Sequence, residues 1–65
     1  MKYYRFANIW NLADFHAALG IFTRCEYGTI WSSPKVSQVS GSEEDMRLAE
    51  RWAEHLGGIE IPPPC

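Results

Sequence analysis

A chain of 65 residues with 46% apolar and 22% charged side chains holds one domain, and its composition excludes wholesale disorder. The formal net charge of −2 excludes the strongly basic surface of a general nucleic-acid binder, and two cysteines are too few for a disulfide framework. No apolar run approaches the ~18 residues of a membrane span, and no basic segment with a long apolar run opens the chain, so neither a membrane segment nor a leader is expected.

The cysteine usage reads as cytoplasmic, with Cys25 and Cys65 reduced and a Cys25–Cys65 bond as the less favoured alternative. A domain of this size buries only about 60% of the surface its unfolded chain exposes, so self-association is a natural supplement to its stability.

The opening stretch from Lys2 to Trp10 carries four of the nine aromatic residues and no Gly or Pro. Read as a strand, it alternates Tyr4, Phe6, Asn8 and Trp10 on one face with Tyr3, Arg5, Ala7 and Ile9 on the other. Both faces are apolar enough to need cover.

Asn11 followed by Asp14 has the form of a helix start, with Trp10 and Phe15 placed as a hydrophobic staple. That assigns Tyr4, Phe6 and Trp10 to the side facing the helices. Gly20 would end this first helix, predicted over 12–19.

Residues 21–33 then read as a hairpin. Ile21, Thr23, Cys25 and Tyr27 alternate with Phe22, Arg24 and Glu26, the turn falls near Tyr27-Gly28, and the pattern resumes through Trp31. Pro34 belongs at a strand end, bulge or edge, and 35–40 is either a short edge strand or a polar loop.

The second helix is the clearest element. Ser42 caps it, and Glu43, Glu44 and Asp45 fill the first turn, where the helix dipole favours anions. Met46, Ala49, Ala53 and Leu56 form its apolar stripe, flanked by Leu48 and Trp52. Glu43 and Arg47 stand at ion-pair spacing. Gly57-Gly58 stops the helix, and Ile59-Glu60-Ile61 is a last strand before the proline-rich end at 62–65.

The predicted class is therefore α+β, a small antiparallel sheet of three to five strands with two helices on one face, in one domain over 1–65. The order βαββαβ is similar to the split βαβ arrangement of ferredoxin-like domains at its minimum length. That likeness is topological and rests on no family motif.

Nothing at recognised spacing points to catalysis, a metal or a cofactor, and the chain is expected to be no enzyme. Cys25 with His16 or His55 would be a nucleophile and base only if folding joined them; a mid-strand Cys25 is more simply a small buried hydrophobe. Consecutive Glu43, Glu44 and Asp45 fan around a helix and do not converge on an ion.

Aromatics on an open sheet suggest an RNA- or ssDNA-binding domain, with Tyr4, Phe6, Trp10 and Trp31 as stacking residues. The run from Glu26 to Trp31 lacks the basic residue and most of the pattern of the RNA-recognition motif, and nucleic acid is not the expected partner. The expected function is instead a small protein-binding module, an inhibitor or regulator of the kind phages and mobile elements encode, occluding a partner's surface. The residues assigned to contact the partner are Tyr3, Arg5, Tyr27 and Trp31 from the sheet, with Glu44 and Glu50 from the acidic helix. Charge is divided along the chain: residues 1–40 hold four cations against two anions, whereas 41–65 hold two cations against six anions. A homodimeric accessory protein is the further alternative.

Overall fold

In the computed structural model, which describes residues 1–63, the first strand is shorter than its alternation predicts. Strand β1 spans Lys2–Arg5 and helix α1 spans Ile9–Phe22. Strands β2 (Glu26–Ile30) and β3 (Ser33–Ser40) form a hairpin, followed by helix α2 (Glu43–His55) and strand β4 (Ile59–Ile61).

The four strands make one antiparallel sheet in the order β2-β3-β1-β4. Each helix connects two strands that are separated by a third. This is the ferredoxin-like split βαβ arrangement expected from the sequence.

One set of residues explains the layers. Tyr4 and Phe6 from β1 and its continuation, Val39 from β3, Leu12, Phe15 and Leu19 from α1, and Ala49 and Ala53 from α2 pack as a single core. Both helices thus cover the Tyr4 side of the sheet. Phe15 is fully buried at its centre, with ring centroids 5.7 Å from Tyr4 and 5.0 Å from Phe6. Aromatic pairs of this kind contribute about 0.5–1.5 kcal/mol each beyond burial. Ala49 and Ala53 let α2 lie close over the sheet, while Met46, Trp52 and Leu56 seal its flanks.

Three expectations are corrected at the first helix. Asn8, not Asn11, is the cap: its backbone is extended and its Oδ1 accepts the Asn11 N–H at 2.9 Å. Ile9 and Trp10 therefore open the helix instead of ending a strand. Trp10 is 73% exposed, so it neither faces the core nor staples onto Phe15. An apolar first helical turn imitates strand alternation when read from sequence.

At the other end the helix runs past Gly20. Thr23 stops it, its N–H and its Oγ1 donating to the Leu19 carbonyl at 3.0 and 2.8 Å. Gly20 serves a different need, because a Cβ there would lie 3.1 Å from the Tyr27 hydroxyl. The glycine lets Tyr27 of β2 approach α1.

The hairpin is also displaced. Its turn lies at Trp31-Ser32, not near Tyr27-Gly28, and Cys25 precedes β2 as a buried residue outside any strand. The segment over 33–40 is an interior strand between β2 and β1, neither edge nor loop. The β2–β3 register jumps from Thr29–Ser37 to Ile30–Ser33. Pro34, which has no N–H to donate, falls in this irregular interval near the strand start.

Helix α2 follows its sequence closely. Ser42 Oγ accepts the Asp45 N–H at 3.2 Å, and Arg47 pairs with Glu43 at 3.0 Å. A Schellman turn ends it: Gly58 N–H donates to Ala53 O, Gly57 N–H donates to Glu54 O, and Gly57 has φ +79°. Pro64 and Cys65, and with them the Cys25–Cys65 alternative, lie outside the described residues.

Candidate functional site

Cross-strand partners in an antiparallel sheet share a face, so the register assigns every strand residue a side. Tyr4 pairs with Ser37 and Glu60, and Val39 pairs with Lys2 and Tyr27, which puts all of these on the helix side. Tyr3 pairs with Gln38 and Ile61, and Arg5 pairs with Val36 and Ile59. These six, with Gly28 opposite Gln38 and Glu26 opposite Ser40, lie on the other face, which no helix covers.

The β1–β4 part of the uncovered face is apolar around Arg5, whereas Glu26, Gln38 and Ser40 make its β2–β3 part polar. Ile59 is 61% exposed, Tyr3 and Ile61 are half-buried, and Arg5 stands exposed among them. Val36, the cross-strand neighbour of Arg5, is buried even there. Trp31, 98% exposed, projects from the β2–β3 turn at the same end of the sheet as Arg5 and Ile59.

The six residues assigned to the partner therefore do not form one surface. Tyr3 and Arg5 share the open face, with Trp31 at its end. Tyr27 lies on the helix side, its ring centroid 4.6 Å from that of His16. Glu44 and Glu50 sit on α2, behind the sheet. Tyr27 and Trp31 both lie on the β2–β3 hairpin, but Tyr27 sits within β2 and faces the helices while Trp31 is in the turn, and helix residues could not be assigned a side from sequence.

The stacking set proposed for nucleic acid also separates. Tyr4 and Phe6 are core residues and Trp10 belongs to α1, so of that set only Trp31 stands beside the open face.

A Ser–His contact emerges that the sequence did not suggest. His16 Nε2 lies 2.7 Å from Ser37 Oγ, a nucleophile-to-base distance. Ser37 has no exposure, however, so its hydroxyl is out of a substrate's reach. Burial holds the His16 imidazole below its ordinary pKa. The pair joins α1 to β3 and satisfies a buried hydroxyl.

Cys25 is a buried core residue, and His55 stands edge-on to Trp52 instead of beside the thiol. Among the described residues no group of three His, Cys, Asp or Glu is placed to hold a metal ion, and no helix is long and apolar enough to cross a membrane.

Among the described residues one buried side-chain polar atom has no partner, the Tyr4 hydroxyl. Its pKa is pushed up to about 12, first by burial and then by the negative charges of Glu60, Glu50 and Glu54. Lys2 meets Glu60 at 3.8 Å in a partly exposed pair of little energetic weight.

Two further apolar groups are exposed on the helix layer. Ile21 is 74% exposed and Phe22 56%, and Phe22 stacks on Trp52 with centroids 5.1 Å apart. Leu48 lies between two hollows, one lined by Ile21, Phe22, Arg24 and Glu44, the other by Arg51, Trp52 and His55. Comparison with known protein families, with curated proteins and with solved structures gives no match.

Proposed function

We propose that this chain is a protein-binding module that engages its partner through the uncovered sheet face, acting in the cytoplasm as a regulator or inhibitor by occluding the partner's surface. One observation carries the reading: a four-stranded sheet has helices on one side only, and its bare side presents Tyr3, Ile59 and Ile61 around Arg5. Tyr, Arg and branched aliphatics with few charges are the composition of an interface centre. Trp31 at the end of that face adds a large side chain that the fold itself leaves bare. The partner surface that fits is apolar, with a carboxylate for Arg5.

The test is affinity capture from the native host, read by mass spectrometry, with the wild type, Arg5→Glu and Ile59→Asp. A protein retained by the wild type and lost by both variants supports the reading. Retention of nothing above background, or of a protein that both variants still hold, refutes it. Fluorescence anisotropy with labelled RNA and ssDNA at low salt addresses the nucleic-acid alternative, and binding abolished by Trp31→Ser would favour that alternative.

A further inference from the structure

We infer that the outer face of α2 is a second interface, on which two copies of this chain pack antiparallel about a two-fold axis passing by Leu48. The argument starts from α1, whose only charged residue is Asp14. A helix with so little polar surface is normally covered on most sides. Its last residues, Ile21 and Phe22, are instead exposed and run onto α2 through the Phe22–Trp52 stack. Ile21, Phe22, Leu48 and Trp52 make a continuous apolar patch on the helix layer, away from the sheet face.

Charge identifies the occupant. Glu44, Leu48 and Arg51 follow one another along a single stripe of α2, at spacings of four and three. Within the described residues the ion pairs are Lys2–Glu60 and Arg47–Glu43, so neither Glu44 nor Arg51 has an ion-pair partner among them. Glu44 lies about 6 Å along the axis on one side of Leu48, and Arg51 about 4.5 Å on the other, from a rise of about 1.5 Å per residue. Antiparallel pairing about Leu48 therefore brings Glu44 of each copy against Arg51 of the other, twice, with Leu48 against its own copy between them.

The same operation sets the hollow at Ile21 and Phe22 against the one at Trp52 and His55. It also places the acidic N-terminus of one helix beside the C-terminus of the other, the orientation that helix dipoles favour. The Glu44–Leu48–Arg51 stripe, with Arg24 and Asp45 also lining the hollow at its Glu44 end, carries opposite charges on either side of Leu48 and is complementary to itself, as a two-fold interface requires. The dimer leaves both sheet faces outward and free.

Sedimentation equilibrium of the full chain, from low micromolar to several hundred micromolar, tests this. The wild type is expected to dimerise and Leu48→Asp to stay monomeric. Glu44→Arg and Arg51→Glu should each raise the dimer Kd about tenfold, about 1.4 kcal/mol, and the double swap should restore it to within a few-fold. Glu44 and Arg51 are exposed and Leu48 is half-buried, and circular dichroism of each variant confirms that it is folded.

A wild type that is strictly monomeric overturns the inference. So does a dimer that survives Leu48→Asp, or a double swap no tighter than either single variant. A dimer broken by Ile59→Asp but not by Leu48→Asp would move the two-fold to the sheet and equally refute it. Because the partner test uses sheet-face variants and this one uses α2 variants, either can fail alone.

Discussion

His16 Nε2 on α1 and Ser37 Oγ on β3 share a 2.7 Å hydrogen bond across the helix–sheet interface, and Tyr27 packs over the imidazole. The hydroxyl donates to a bare ring nitrogen or accepts from its N–H, so the contact suits either tautomer. Ser37→Ala leaves a half-buried ring nitrogen without its partner and should cost about 1–3 kcal/mol in urea unfolding. A double-mutant cycle with His16→Phe should recover part of that loss, because the variant carries no polar atom to strand.

The same histidine makes stability depend on pH. Its folded pKa is depressed by burial, below the unfolded value of ~6.5. Between those two values the unfolded chain binds the extra proton, so stability is full above the unfolded pKa and falls as pH drops through it toward the folded one. Urea midpoints measured from pH 8 to pH 5 should decline for the wild type and decline less for His16→Gln. Equal slopes would assign the effect to the carboxylates.

At the alkaline end the relevant group is Tyr4. Its folded pKa of about 12 lies above the unfolded ~10, so its contribution is complete below pH 10 and is lost as pH rises toward 12. Two pH units correspond to about 3 kcal/mol. Tyr4→Phe should abolish that alkaline loss. At neutral pH it should leave stability unchanged or raise it by about 1 kcal/mol, because the hydroxyl it removes is buried without a partner. A neutral-pH loss above 2 kcal/mol would mean that the hydroxyl is hydrogen-bonded in solution.

The three tryptophans should report their environments separately. In single-Trp variants, acrylamide should quench Trp31 most and Trp10 nearly as much, with Trp52 protected by its stack on Phe22. Added partner should protect Trp31, and dimerisation should protect Trp52 further. The reverse assignment would exchange the roles given to the sheet face and α2.

At the centre of the core, Phe15→Ala removes the ring that joins Tyr4 to Phe6 and should cost about 3–5 kcal/mol, enough to unfold a domain this small. Trp31→Ser, at an exposed turn, should shift the urea midpoint within error.

Residues 42–61 determined their own structure. A Ser cap, an acidic first turn, an apolar stripe every three to four residues and a Gly-Gly stop are local instructions, and α2 obeys each of them. The βαββαβ order was legible from the alternation of periods. Tyr4 and Phe6 do face the helices, but the Trp10–Phe15 staple from which that side was inferred does not form, since Trp10 is exposed.

What the sequence could not decide was where apolar periodicity changes from two to 3.6. Ile9-Trp10 and Ile21-Phe22 suit strand and helix equally, and only the Asn8 and Thr23 caps, with the packing of Leu12, Phe15 and Leu19 against the sheet, made them helical. Register was likewise a tertiary outcome. Pairing β3 between β2 and β1 sent Tyr27 to the helix side and left Tyr3 and Arg5 bare, because a shift of one residue along a strand exchanges its faces. The composition of the chain could show that some aromatics would lack cover; only the paired sheet decided which.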